Sequence, residues 1–300
     1  RPSTLIRGWH EMLEPYERSV LDEVQQWLNH EPRWMDRMLG GVSSRSRQVL
    51  DLVLETGPGR SALKAATDRA SAALEDAVLR DLENDVAPVV PDDPEGREAA
   101  LRQADERAGE LRNRYVGALG VQGALAGAAS LTVPLSVVAL VADVSSAVVV
   151  PLRASAHLLA VYGGVRSHQA ALQAAVDVVA LATETDLGVR KGTTAALSRR
   201  LAEQRLDADT AGQLPRIVLQ QTSSRALRET LEQTVRRVLR RRLARLVPLL
   251  GGAAGGAASG WLAARTCEAS RQVGRVAFLV RHTPLELEDV LGEHAGPAVT

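Results

Sequence analysis

Apolar residues recur every three or four positions through residues 9–40, as they do along the buried face of a helix. The pattern is broken by the Glu-Pro pair at residues 31–32 and ends at the Gly-Gly pair at residues 40–41. Comparable spacing predicts helices at residues 45–56 and 61–85. Alternating apolar and polar runs, which are typical of strands, are absent. The sequence therefore predicts an all-α fold.

The middle of the chain is divided by a proline-rich segment. Residues 87–94 contain three prolines and are predicted to form a loop. An acidic helix is predicted to follow at residues 95–115. Further helices are predicted at residues 169–185, 193–204, 209–221 and 224–245, with a turn at Gly188.

These elements predict one integrated domain, since 300 residues allow one large domain or two small ones. We divide it into an N-terminal helical part (1–86), an acidic proline-rich loop (87–98), a helical core with glycine-rich apolar helices (99–283) and a loosely held tail (284–300). The core is predicted to be a multi-helix bundle around a central glycine- and alanine-rich helical hairpin.

Two long segments of this core are almost free of charge. Residues 116–142 and residues 246–264 contain no charged side chain. Pro134 is expected to divide the first segment into two helices, and Pro151 to kink the second of them. Each segment is long enough to cross a bilayer, which takes about 20 apolar residues. The many glycines make both poor membrane spans, so a buried hairpin in a globular protein and insertion into lipid both stay open.

Glycines in these segments are spaced every four residues. Gly252, Gly256 and Gly260 form one such series, and Gly123 and Gly127 form another. This spacing keeps small residues on one side of a helix and lets a second helix approach closely. Each helical glycine costs about 0.5–1 kcal/mol relative to alanine. We therefore predict that the two glycine series are helix-packing surfaces.

Charge is balanced overall but unevenly placed. The formal net charge is zero, which argues against a nucleic-acid-binding function. Residues 75–110 carry 12 acidic residues and 4 arginines, whereas residues 225–245 carry 8 arginines and 2 glutamates. Such segments are often solvated helix faces. The alternative is an electrostatic partner: an anionic membrane, another protein, or the chain's own acidic half.

Six arginines form the basic face of an amphipathic helix directly before the second uncharged segment. That arrangement suits anionic lipid headgroups or an acidic protein surface. An arginine-rich solvated face is the alternative reading. The six residues are Arg236, Arg237, Arg240, Arg241, Arg242 and Arg245.

Motifs for catalysis and cofactor binding are absent. The sequence has no Gly-x-Ser-x-Gly, no GxGxxG and no P-loop, and its six histidines have no metal-ligand spacing. We predict no metal, no cofactor and no catalytic residue. The single cysteine, Cys267, excludes an internal disulfide and is expected to be a packed core residue. No charged-then-apolar leader begins the chain, which favours a cytoplasmic location.

Three polar residues interrupt apolar sequence and are candidate ligands or polar anchors. Asp143 and Arg153 stand in otherwise uncharged surroundings, where an unpaired charge is costly. They are expected to form an ion pair or a polar anchor, or alternatively a site for a ligand or headgroup. His157 lies on an apolar helix and is interpreted as a core histidine with its hydrogen bonds satisfied.

An ordered series of short motifs resembles the EcsC family over residues 9–281. No single motif is specific, but their order and spacing are. They are Trp27, Gly123-Ala124-Leu125-Ala126-Gly127, Ala142-Asp143, Arg153, Tyr162-Gly163, Val247-Pro248-Leu249-Leu250-Gly251-Gly252 and Gly255-Gly256. The chain departs from the family pattern at Ser259-Gly260-Trp261, and residues 87–98 resemble an insertion.

The resemblance implies a bacterial protein, intracellular or membrane-associated, with no established enzymatic activity. The family is named after a gene beside an ABC-transporter operon, which implies a link to export or the envelope. We therefore expect a non-enzymatic protein at the inner face of the membrane. Its partners would be an anionic membrane surface or lipid, and a membrane transport or envelope protein. The alternative is a soluble enzyme with a polar site at Asp143, Arg153 and His157.

Overall fold

The computed structural model describes residues 13–30, 96–129, 137–163, 168–182, 184, 186–207 and 253–291, together with isolated positions between 57 and 72 and at 232. These residues form seven helices and no strand, which confirms the all-α prediction. The helices are α1 (Pro15–Asn29), α2 (Arg97–Ala129), α3 (Val137–Val161), α4 (His168–Ala182), α5 (Leu187–Asp207), α6 (Ala253–His282) and α7 (Leu287–Leu291).

Helix α1 follows the apolar periodicity of the sequence. Pro15 opens it, and Glu14 and Glu17 form a reciprocal capping box in which the Glu14 amide donates to Glu17 Oε2 at 3.0 Å. The helix ends before the predicted break at residues 31–32. Its apolar face lies in the core through Val20, Leu21, Val24 and Leu28.

Helices α2 and α3 contain the first uncharged segment. Helix α2 runs unbroken for 33 residues, so the acidic helix and the uncharged sequence after it form one rod. It ends at Ala129 and α3 begins at Val137, which confirms two helices here; Pro134 itself lies outside the described residues. Pro151 lies inside α3, which continues to Val161.

Helix α5 begins earlier than predicted. The prediction of a turn at Gly188 is wrong, since the helix starts at Leu187 and includes Gly188. Asp186 replaces the turn with a cap: its Oδ1 accepts the Val189 amide at 3.0 Å, and its backbone carbonyl accepts the Arg190 amide at 3.0 Å. A side-chain cap that satisfies the first free amides outweighs the weak turn preference of one glycine.

The prediction of a loosely held tail after Pro284 is wrong for its first residues. We expected a loose tail, but the first residues beyond Pro284 fold into α7 and pack into the core. Their apolar side chains are at most 5% exposed. They are Leu285, Leu287, Val290 and Leu291.

Helix α6 is the centre of the described fold. It contacts every other described helix and packs most extensively against α2, then against α3. Helix α2 runs antiparallel to α6, because Arg97 at the start of α2 donates to the His282 carbonyl at the end of α6, and Asp105 further along α2 meets Arg275 earlier on α6. The core on one side joins α1, α2, α3, α6 and α7, and a second cluster joins α3, α4, α5 and α6.

Candidate functional site

A buried carboxylate joins several helices where the first part of α2 packs against the last part of α6. We call this part of the α2–α6 pair its lower half. Asp105 on α2 is 7% exposed and receives a two-pronged contact from Arg275 on α6. Arg275 Nε donates to Oδ1 at 2.8 Å, and Nη2 donates to Oδ2 at 2.9 Å. The hydroxyl of Tyr16 donates to Oδ2 at 2.7 Å, and that of Tyr162 donates to Oδ1 at 2.5 Å. One carboxylate thus joins α1, α2, α6 and the end of α3.

The ionisation states of this Asp105 cluster (Tyr16, Asp105, Tyr162, Arg275) are mutually reinforced. Burial works to raise the pKa of Asp105, but the bonds and charge of Arg275 and the two phenols outweigh it, so that pKa is lowered. Burial and the neighbouring carboxylate raise the pKa of Tyr16 to about 12 and that of Tyr162 well above its usual range. Burial lowers the pKa of Arg275, yet the bond and charge of Asp105 raise it overall.

These states leave the cluster without a group that exchanges protons near neutral pH. Asp105 stays ionised, both phenols stay protonated, and Arg275 stays charged. Arg275 also donates to Glu23 Oε2 at 2.6 Å, which extends the cluster to the half-exposed side of α1. The arrangement is suited to fixing four helices in one geometry rather than to acid–base chemistry.

Gly274 makes the Asp105 cluster possible. A Cβ on Gly274 would lie 2.8 Å from Cγ of the Tyr162 ring, and nearer still to Cδ2. The ring therefore lies directly on the α6 backbone, one residue before Arg275. Gly163, with φ of 69°, ends α3 immediately after this tyrosine.

His157 lies in a second buried polar pair, nearer the uncharged sequence. It is 7% exposed, and its Nδ1 lies 2.6 Å from the hydroxyl of Tyr115, which is 9% exposed. The two rings are tilted, with centroids 5.8 Å apart. The pair joins α2 to α3, so His157 is a buried core residue.

Asp143, Arg153 and His157 all lie on α3 but are not brought together. The helix is continuous over these positions, and at 1.5 Å per residue Asp143 is about 15 Å from Arg153 and about 21 Å from His157 along the axis. A direct ion pair needs about 4 Å between charged atoms. The three residues therefore do not form one compact site. A separate role for Asp143 as an anchor stays a prediction, since its side chain lies outside the described residues.

The glycine series fall partly outside the described residues. Gly123 and Gly127 are on α2 and Gly256 is on α6, the two helices that pack most extensively; their local surroundings and Gly252 are not described. Gly260 is described, and a Cβ placed there meets no heavy atom within 4 Å. The expected close contact is therefore not found at Gly260, and the rest of the packing prediction stays a prediction.

The basic helix falls outside the described residues altogether. Its arginines lie between the end of α5 and the start of α6. They are Arg236, Arg237, Arg240, Arg241, Arg242 and Arg245. Their proposed role at an anionic surface stays a prediction.

Three helices bring their uncharged parts to the same end of the molecule. Tyr115 on α2 meets His157 on α3, and Ser270 on α6 donates to Ser155 on α3 at 3.0 Å. The C-terminal part of α2 and the N-terminal parts of α3 and α6 extend beyond these contacts in the same direction. We call this part the uncharged end: residues 116–129, 137–152 and 253–264, which contain one charge, Asp143.

The first charge that each helix carries below the uncharged end is an arginine. On α2 it is Arg114, on α3 it is Arg153, and on α6 it is Arg265. Arg114 is exposed and the other two are half-buried. Arg265 also lies over the ring of Trp261, 5.9 Å from its centroid. We call these three residues the arginine collar.

Neither a membrane-spanning helix nor a metal-ligand cluster occurs in the described part of the chain. No helix there combines the length and apolar character needed to cross a bilayer. No group of three or more His, Cys, Asp or Glu side chains there could hold a metal ion. Cys267 is fully buried, as expected for a packed residue, and burial raises its pKa to about 12.

The chain matches the model of the EcsC protein family over residues 18–279. It belongs to the EcsC family. The match includes both glycine series, the uncharged end and three members of the Asp105 cluster (Asp105, Tyr162 and Arg275), whereas Tyr16 precedes it. No curated protein and no solved structure matches the chain.

Sequence reasoning missed most of the buried polar residues of this EcsC protein. Asp105 stands among eleven other acidic residues between positions 75 and 110, and its spacing does not distinguish it. Glu17 was also missed, and it is fully buried against Arg97. One signal was present: Asp105 lies four residues after Leu101, on the apolar side of α2, where a charge needs a partner.

Proposed function

We propose that this EcsC protein is a non-enzymatic, peripheral membrane protein that binds anionic lipid at the inner face of the membrane. The observation that carries this proposal is the arginine collar beneath the uncharged end. On each of the three helices, the charged residue nearest to the uncharged end is an arginine. A basic rim beside an uncharged surface is suited to lipid phosphates, and each arginine near such a surface contributes about 1 kcal/mol.

Binding rather than catalysis is supported by the buried polar groups. The Asp105 cluster is saturated by its own hydrogen bonds, and its groups hold fixed charge at neutral pH. The rival enzyme site at Asp143, Arg153 and His157 is spread over about 21 Å of one helix.

Peripheral attachment is favoured over deep insertion. Asp143 lies about 15 Å beyond Arg153 towards the tip of the uncharged end. A carboxylate at the bilayer centre costs about 2.5–3.5 kcal/mol on insertion scales. With the collar at the phosphates, a helix standing upright in the bilayer would carry Asp143 towards that depth. In the same proposal the protein serves as an accessory to a transport or envelope system, as the family resemblance implies.

Vesicle flotation of the full chain tests the proposal. We expect binding to vesicles of equal parts phosphatidylglycerol and phosphatidylcholine, weak binding to phosphatidylcholine alone, and loss of binding as salt rises. Replacing all three collar arginines by glutamine should weaken binding on the order of 100-fold at low salt.

A matched variant controls for loss of charge. Arg107, Arg199 and Arg200 are exposed arginines on α2 and α5 outside the collar. Replacing these three by glutamine changes the net charge by the same amount and should leave binding nearly intact. Equal loss in both variants would show that only overall charge matters. Absence of binding by the wild-type chain would refute the proposed function.

The basic helix is tested separately. Changing Arg237, Arg240, Arg241 and Arg245 to glutamine should also weaken binding to anionic vesicles, with little change in melting temperature. Unchanged binding would remove this helix from the proposal and leave the collar as the anionic-lipid surface.

A further inference from the structure

Helix α7 and the residues just before it are packed into the fold through apolar side chains. The segment contacts α1, α5 and α6 and belongs to the core cluster that also includes α2 and α3. We call residues 285–291 the α7 segment, and the surface of α1, α5 and α6 that it covers the α7 groove. The side chains that fill the groove are at most 5% exposed: Leu285, Leu287, Val290 and Leu291.

One exposed ion pair joins the α7 segment to a neighbouring helix. Arg199 Nη2 on α5 donates to Glu288 Oε1 at 2.9 Å, and the two side chains are 56% and 64% exposed. Within the described ranges, no other hydrogen bond or ion pair runs from this segment to α1, α5 or α6. Exposed ion pairs contribute little to stability. Departure from the groove therefore breaks no buried polar contact between these described helices.

The other hydrogen bonds of the α7 segment are local. Asp289 Oδ2 accepts the Glu286 amide at 3.0 Å, and the Glu286 carbonyl accepts the amides of Asp289 at 3.1 Å and Val290 at 3.3 Å. The Leu285 amide donates to Thr283 Oγ1 at 3.2 Å. The segment keeps its own helix cap when it leaves the groove, since both partners of the cap move together.

A fixed helix end and a proline precede the α7 segment. Arg97 Nη1 donates to the His282 carbonyl at 3.2 Å, and the Thr283 amide and hydroxyl both donate to the Leu279 carbonyl, at 2.9 and 2.7 Å. Pro284 is exposed, has no amide hydrogen and disfavours helical geometry at the residue before it. Thr283 and Pro284 thus form a short hinge between a fixed α6 and the α7 segment.

We propose that the α7 groove is an interaction surface for a second copy of this chain, and that two copies exchange their α7 segments. In the exchanged pair, each segment lies in the groove of the other copy. This is domain swapping, in which an identical element is exchanged between two chains. The proposal goes beyond lipid binding and does not depend on it.

A second copy fits the groove without any new complementarity. It presents the same four aliphatic side chains, and its Glu288 meets the same Arg199, so the contacts of the closed chain form again. Closed and exchanged forms then differ chiefly in the concentration of the segment at the groove. A short tether supplies an effective concentration in the millimolar range. Exchanged pairs should therefore be rare at micromolar protein and abundant near millimolar.

A mixture of two single-cysteine chains tests the exchange. In a Cys267→Ala background, Arg199→Cys is introduced into a full chain with a size tag, and Glu288→Cys into a full chain without one. The chains are mixed overnight at about 0.5 mM, close to the expected effective concentration, and treated with a short bismaleimide. In the exchanged pair the two cysteines of different chains lie side by side, and a covalent dimer of mixed size results.

The Arg200–Asp177 pair gives the matched control. It joins α5 to α4 at 2.6 Å, is also partly exposed, and does not involve α7. Arg200→Cys and Asp177→Cys on separate chains should give mixed dimers by random collision alone. At about 0.5 mM we expect at least about tenfold more mixed dimer from the 199 and 288 chains, and loss of this excess in chains mixed at about 5 μM.

A shortened hinge provides a second measurement. Deletion of Thr283 and Pro284 shortens the reach of the segment by up to about 7 Å, which hinders closure in its own groove and leaves the groove of another copy accessible. Sedimentation velocity should then show a dimer at micromolar concentration. Adding Leu287→Asp should restore the monomer, because a carboxylate does not enter an apolar groove. Circular dichroism checks that each variant is folded.

The outcomes separate cleanly. Equal yields of mixed dimer from the test and control pairs overturn the proposal, whether or not the shortened chain folds. A folded shortened chain that stays monomeric overturns it as well. An excess of mixed dimer with a dimeric shortened chain supports it, and where the shortened chain does not fold, the mixed dimer alone decides.

Discussion

The lower half of the α2–α6 pair contains buried charges, whereas the upper half, which belongs to the uncharged end, contains almost none. In the lower half a carboxylate and a guanidinium are buried together and fully engaged. In the upper half charges disappear and glycines leave the helix surface bare. Buried charges tolerate few alternative partners and so define one geometry, whereas a bare uncharged surface defines little. We infer that the lower half fixes how the helices pack and that the upper half provides a surface for contact with a partner.

Removing the Asp105 carboxylate should have the largest effect. Asp105→Ala leaves Arg275 buried without its main partner, which typically costs about 3–5 kcal/mol. Urea denaturation followed by circular dichroism measures the loss. The adjacent, exposed Glu106→Ala is the control and should change stability by less than about 0.5 kcal/mol. Equal stability of the two variants would contradict the specific role given to the lower half.

Adding one methyl group at Gly274 should have the next largest effect. Gly274→Ala forces the new Cβ into the Tyr162 ring, and overpacking of this kind costs about 1–3 kcal/mol. The penalty should largely vanish in the Tyr162→Ala background, because the clashing ring is gone. A full penalty in that background would show that the clash lies elsewhere.

The pH dependence of stability should come from the lower half. The folded pKa of Asp105 is lowered, so its stabilising contribution is complete above the unfolded value, near 3.9, and is lost as the pH falls below it. The folded pKa of Tyr16 is raised to about 12, so its contribution is complete below the unfolded value, near 10, and is lost as the pH rises towards about 12.

Phenolate absorbance of the folded protein measures the alkaline part of that prediction. The chain has three tyrosines, and two of them, Tyr16 and Tyr162, should ionise well above pH 10. Tyr16→Phe should remove one of these late steps. Ionisation of all three phenols near pH 10 without unfolding would contradict the electrostatics of the cluster.

Small substitutions in the upper half should have the least effect, with the opposite sign. Gly117→Ala and Gly260→Ala place a methyl group in open space on a helix, which should stabilise by about 0.5–1 kcal/mol each. Thermal unfolding compared with Gly274→Ala gives the contrast between the halves. Destabilisation at Gly260 would mean that another helix covers it, as the glycine-series prediction first required.

The all-α fold and most of the helices that the structure describes could be predicted because they depend on local properties of the chain, whereas the helices predicted at 45–56, 61–85, 209–221 and 224–245 lie almost wholly outside the described residues. The spacing of apolar residues in α1 and the prolines that separate helices act within a few residues. The errors at Gly188 and after Pro284 have a common cause. A cap by Asp186 and burial of Leu285 to Leu291 outweighed weak local turn and tail signals.

What the sequence by itself determined is the helical character of the chain, its family and the existence of two uncharged segments, since composition and periodicity are properties of the chain alone. Only the tertiary structure decided which of the four acidic residues described between positions 96 and 110 is buried, and that three arginines border one end. Asp105 and Arg275 are 170 residues apart in sequence. Their pairing depends on how α2 and α6 pack, and local spacing carries no information about that contact.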